Sequence, residues 1–267
     1  MTAPAYLMTR GRPRENRYDY QFIGAVPPAR WWDAVTKHVQ TTQREIVVAR
    51  HEGGVGVYVT GVPSERRDAG GTPIRYTLVL DDLRDDPVLL QRIAALAWSA
   101  DGYERLGEQL DKEFDADRID AIIRGDEPAE DVPARTAAML DSALEPAASL
   151  GDDPAGSWVG GVKDRDARRA FLARVTRLAA AEAEGWAFTS QAFGTLRGAH
   201  EAAADLRAPV AIMLLDPDGT SSIQEIAPGK GPALVKERRS RIPLIVGLSL
   251  AAVALILAIV WIMRSSA

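Results

Sequence analysis

Residues Ile242 to Met263 read IPLIVGLSLAAVALILAIVWIM, a run of 22 residues without a charged side chain. As an α-helix such a run is about 33 Å long, against a bilayer hydrocarbon core of about 30 Å. It is apolar on every face, which suits lipid and not the half-buried surface of a globular domain. The sequence therefore predicts one transmembrane helix over 242–263, with residues 264–267 as a short tail on the far side. Pro243 falls in the first turn, where a missing N–H costs least, and Trp261 falls where the far interface would favour its amphipathic ring.

The flanks set an orientation. Lys236, Arg238, Arg239 and Arg241 crowd the N-terminal side, whereas only Arg264 follows the run. Positive flanks stay inside, so the N-terminal domain is expected in the cytoplasm. The first 16 residues, MTAPAYLMTRGRPREN, hold no apolar run of signal-peptide length, which predicts a single-pass, tail-anchored protein of the cell membrane. Gly247, Ala251, Ala254 and Ala258 share one helix face and would let a second copy approach closely, giving a possible homo-oligomer. Small residues are also common in lipid-spanning helices generally.

The remaining chain is built to fold. At 46% hydrophobic and 26% charged, the sequence is too apolar for wholesale disorder. Its charge is uneven: residues 1–30 carry +3 and residues 31–235 carry −12. An acidic body repels phosphate backbones, so nucleic acid is an unlikely partner except through the short arm Arg10, Arg12, Arg14 and Arg17. With 27 Arg against 5 Lys, the basic residues read as GC-rich bacterial coding. There is no cysteine, which excludes disulfides, thiolate nucleophiles and cysteine-bound zinc.

Hydrophobic periodicity supplies the elements. Strands are expected at Tyr18–Val26, Glu45–Arg50, Val55–Val62 and Ile74–Leu80, joined by turns rich in Gly and Pro into an antiparallel meander, with a helix at Trp31–Gln40. Asp86 then caps a helix that opens on Pro87. Helical pieces follow at Tyr103–Phe114, Arg118–Arg124 and Ala134–Leu144. Residues 111–153, with thirteen acids against four bases, are expected to be a solvated insertion. After them the pattern reads strand 157–162, helix 166–183, strand 186–191, helix 196–206 and strand 210–215, a βαβαβ unit with parallel strands. Asp218-Gly219 would turn the chain into a short last strand. The fold class is α/β or α+β: residues 1–226 form the domain, with about 1–125 and 155–226 as possible subdomains, and residues 227–241 tether it to the membrane.

Chemistry is sparse in this chain. It holds three histidines on unrelated segments and neither HExxH nor GxSxG. Gly53-Gly54-Val55-Gly56 lacks the helix that a dinucleotide fingerprint needs, and Asp115, Asp117 and Asp120 lack the glycine and glutamate of a calcium loop. Asp81 and Asp82 follow one predicted strand, and Asp216 and Asp218 follow another. Carboxylates at strand ends can hold magnesium and activate water, although Asp is equally at home in turns and caps. Arg66 and Arg67, in the stretch Ser64–Asp68, are expected on a loop and are candidates for a phosphate or acidic partner. No metal site or cofactor is assigned. The expected function is a membrane-tethered module that binds a protein partner or ligand as a sensor, adaptor or accessory factor. A metal-dependent phosphoester or nucleotide hydrolase, using the four aspartates, and an oligomerising membrane effector are the alternatives.

Overall fold

The computed structural model describes residues 3–12, 20–40, 42–52, 54–146, 148–181, 183–216, 220 and 222–226. The tether, the apolar run with its small-residue face, the basic flank Lys236, Arg238, Arg239 and Arg241, and Asp218 lie outside them. Among the described residues, no helix is long and apolar enough to cross a membrane.

Among the described residues nine strands form one mixed sheet: β1 (Ala5–Thr9), β2 (Gln21–Ile23), β3 (Ile46–His51), β4 (Gly54–Arg67), β5 (Pro73–Leu80), β6 (Ser157–Gly161), β7 (Gly185–Ser190), β8 (Val210–Leu214) and β9 (Gln224–Ile226). Their order across the sheet is β2-β1-β5-β4-β3-β7-β8-β6-β9. The first five pair antiparallel, β3 with β4 and β4 with β5 through short connections and β1 with β5 across a long stretch of chain. β6 and β7 both run parallel to β8, each linked by a helical crossover. The antiparallel pairing of β3 with β7 makes the two halves one sheet.

Alternation along the strands separates two cores. On one face Leu7, Val48, Val57, Val59, Leu78 and Leu80 pack under α1 (Pro87–Ala95), α2 (Ala100–Glu113), α3 (Ala116–Arg124), α4 (Val132–Ala143) and α5 (Arg165–Ala180). The acidic middle is therefore no solvated insertion. Phe114, Ile119, Val132 and Leu140 are buried against the sheet while the carboxylates point outward or pair, and each such side chain contributes roughly 1.5–3 kcal/mol. Gly107 lets α2 sit on β4, since a Cβ there would lie 2.2 Å from the Pro63 carbonyl oxygen. Asp86, Ser99 and Asp115 accept from the first-turn amides of α1, α2 and α3.

The other face is covered unevenly. α6 (Leu196–Leu206) packs over the parallel strands through Ala199 and Ala202. Over β4 and β3 the cover is Trp31 and Trp32, from a single 3-10 turn (Trp31–Ala34), and Val35 and Val39 from the turns after it. The helix expected to Gln40 does not form. Its apolar residues face the core, but the backbone beyond Ala34 is held by Ser190 and Glu45, not by an i→i−4 ladder.

Two further corrections concern strands. β1 falls in a stretch that the sequence reading left without structure. Ala5, Leu7 and Thr9 are buried and Tyr6 and Met8 half-buried, a period of two that is only five residues long. β4 continues five residues beyond the predicted strand Val55–Val62, through Pro63 to Arg67, with shifts in register on either side of Val62–Pro63.

Candidate binding groove and the strand-end carboxylates

The extension of β4 changes what Arg66 is. Its side chain is buried, over the Tyr76 ring at 4.7 Å, and donates to the Arg10 carbonyl at 3.0 Å, to Ser64 Oγ at 3.2 Å and to Thr9 Oγ1. Asp111 lies 3.9 Å away and is itself held by Ser64, Tyr76 and the Glu65 amide. A guanidinium so committed ties β4, β1 and α2 together and is not presented to an outside phosphate. Arg67 is exposed and donates to the Gly71 carbonyl at 3.0 Å. Two arginines of the arm are likewise engaged, Arg10 with Asp68 and Arg12 with the buried Asp120 and with Asp117, while Arg14 and Arg17 lie outside the described residues.

Register places the aspartates. Leu80 is level with Val57, Val57 with Val48, Val48 with Ala187 and Ala187 with Ala211. Asp81 thus continues toward the start of β8, whereas Asp216 lies beyond its end. The separation is roughly 20 Å along the strands and four strand spacings, about 19 Å, across them. Asp81 and Asp82 cannot share a metal ion with Asp216. Among the described residues no three His, Asp or Glu side chains form a metal-binding group.

Asp81 has a different role. Its Oδ1 accepts from Trp31 Nε1 at 2.9 Å, and its Oδ2 is buried without a hydrogen-bond partner. Burial pushes its carboxyl up, against the lowering effects of the Trp31 N–H and of His51. Trp31 stacks on His51 at 5.4 Å and meets Trp186 at 6.4 Å. Asp82 stands outside this cluster, its carboxyl lowered by the bond to Arg84.

No nucleophile and base come together nearby. Ser190 Oγ donates to the His38 backbone carbonyl and not to the ring, whose Nε2 lies 3.2 Å from Asp205 Oδ2 without hydrogen-bond geometry. Burial lowers His38, so the ring favours its neutral form.

Where the thin cover ends, a groove of about 340 Å³ opens on the sheet face. Met8, Tyr20, Gln21, Phe22, Tyr58 and Thr77 line it from β1, β2, β4 and β5 and the residue before β2. Arg30, Trp32, Thr36 and Thr42 form the opposite wall. Trp32 stacks flat on Tyr58 at 5.5 Å and meets Phe22 at 6.0 Å. Burial pushes the Tyr58 hydroxyl up to about 12, so it is a neutral donor at physiological pH. The groove offers ring edges and faces, hydroxyls and one rim guanidinium, which Asp33 pairs at 3.2 Å. This equipment binds without supplying an acid, base or nucleophile.

The sequence marks none of the groove residues as a site. The groove needs β1 and β2 beside β5, a pairing between segments far apart in the chain. No family model, curated protein or solved structure matches the chain, so the reading of this site rests on its geometry.

Proposed function

We propose that the chain is a membrane-tethered binding module: a cytoplasmic α/β domain anchored by residues 242–263, which engages a protein partner or ligand through the groove lined by Phe22, Trp32 and Tyr58. In this reading residues 1–226 are the working domain, residues 227–241 the tether, and Lys236, Arg238, Arg239 and Arg241 the cytoplasmic flank. The observation that carries it is the incomplete cover of one sheet face. A short 3-10 turn stands where a helix would otherwise close the layer, and it leaves an aromatic-walled groove of about 340 Å³. Grooves of this size and lining are typical ligand sites. The distance between Asp81 and Asp216 favours this reading over the hydrolase alternative, which needs the strand-end carboxylates together. The small face Gly247, Ala251, Ala254 and Ala258 would add self-association in the membrane.

The test is site-specific photo-cross-linking of the full chain in cells. A photoreactive residue at Thr36 or Thr42, on the groove wall, is expected to capture the same species, which a probe at the exposed Arg165 of α5 on the opposite face does not. Equal capture at Arg165, or none at either groove position, contradicts the reading.

A further inference from the structure

Glu45 immediately precedes β3, and its side chain is fully buried. One carboxylate oxygen accepts from the backbone amide of Gln40 and the other from that of Gln191, 146 residues away. A single side chain thus fastens the segment 36–45 to the loop that follows β7. The same segment carries Thr36 and Thr42, which form part of the groove wall. Its other ties are two neutral hydrogen bonds, from Thr60 Oγ1 to the Gln43 carbonyl at 2.6 Å and from Ser190 Oγ to the His38 carbonyl at 2.7 Å, and the surface ion pairs of Lys37 with Asp205 and Arg44 with Glu104.

Among the described residues, no cation offsets this buried carboxylate. Tyr103 of α2 is the ionisable group that faces Glu45, and His38, on the same segment, has Lys37 and, from α6, Asp205 and Glu201 for its neighbours. Arg44 is paired with Glu104, and Lys37 with Asp205. Tyr103 donates to the Glu45 backbone carbonyl and not to its carboxylate. Burying an uncompensated charge is costly, and entry of water relieves the cost.

We propose that Glu45 is a proton-controlled latch on the groove wall: neutral, it keeps segment 36–45 fastened to residues 190–191, and ionised, it favours a hydrated state in which the wall is released. Burial pushes the carboxyl up to about 7, although its two amide partners lower it. The closed wall therefore holds a proton that an opened, hydrated Glu45 gives up. Opening is promoted as pH rises from the ordinary glutamate range through about 7 and levels off above it. What the latch controls rests on the groove reading; the latch itself does not, and its test uses no ligand.

The experiment is hydrogen exchange by mass spectrometry on the full chain in detergent micelles between pH 5.5 and 8, corrected for the intrinsic pH dependence of exchange. Peptides covering 38–45 and 189–194 are expected to lose protection together by about tenfold to thirtyfold. Glu45→Gln should make both segments independent of pH, and His38→Gln should leave the wild-type dependence in place. Protection in the wild-type chain that does not change with pH overturns the proposal whether or not Glu45→Gln folds. So does the same dependence in Glu45→Gln, or its loss in a folded His38→Gln.

Discussion

Trp31 donates its indole N–H to Asp81 Oδ1 at 2.9 Å, which joins a 3-10 turn to the end of β5 across 50 residues of sequence. This bond turns a strand-end carboxylate from a candidate metal ligand into a fastening for the aromatic cover. Since burial raises the Asp81 carboxyl, its ionised form destabilises the fold, and that cost grows as pH rises from the usual aspartate range through the raised value. Asp81→Asn keeps an acceptor for Trp31 and removes the charge. Urea melts at pH 7.5 should find it at least as stable as the parent, whereas Asp81→Leu, which strands the indole N–H, should lose about 1–3 kcal/mol.

Gly56 makes room for the same ring. A Cβ at this position would lie 2.4 Å from Trp31 Cε2 and Cζ2. Gly56→Ala should therefore expel Trp31 from its stack on His51 at a cost of about 1–3 kcal/mol. Thermal melts should show the loss, together with a red-shifted tryptophan emission. An unchanged melting curve would mean that the cover tolerates displacement.

The two arginines of β4 should respond in opposite ways. Arg66→Met leaves the Arg10 carbonyl and Thr9 without their donor and removes the cation beside Asp111, so equilibrium unfolding should show a loss of about 2–4 kcal/mol. Arg67→Ala touches an exposed side chain and should stay within about 0.5 kcal/mol of the parent. Similar small effects at both positions would return Arg66 to the list of binding candidates.

Glu45 carries a pH signature in global stability as well. With its carboxyl raised to about 7 in the folded chain and near 4.5 when unfolded, its contribution falls by about 3 kcal/mol as pH rises across that interval. The difference in unfolding free energy between the parent and Glu45→Gln should shift against the parent by that amount between pH 4.5 and 8. A difference that is constant in pH would mean that the buried carboxylate titrates as an ordinary glutamate.

These residues also mark where reading from sequence stops. Ile74 to Leu80 alternates cleanly and forms β5, and Asp86-Pro87 opens α1 as its cap chemistry requires. Both signals are local. Trp32, Val35 and Val39 have helical spacing, yet the turn ends at Ala34 because the ties that hold the next residues come from Ser190, across the sheet, and from Glu45. Arg66 looked exposed because Pro63 and a run of charges suggested a loop, and its partners Thr9 and Arg10 lie in a strand too short to stand out. The groove and the latch depend on pairings of 15 to 152 residues in span, such as Thr60 with Glu45 and Ser190 with His38, which periodicity does not encode.

In the proposed function this domain works on the cytoplasmic face of a membrane to which residues 242–263 hold it. Cells expressing the full chain, or a version ending at Val235, can be fractionated and treated with protease before and after opening. The account predicts that the full chain pellets with membranes, that the shorter chain is soluble, and that the domain resists protease until the cells are opened. A full chain that stays in the soluble fraction, or a domain cleaved in intact cells, would contradict it.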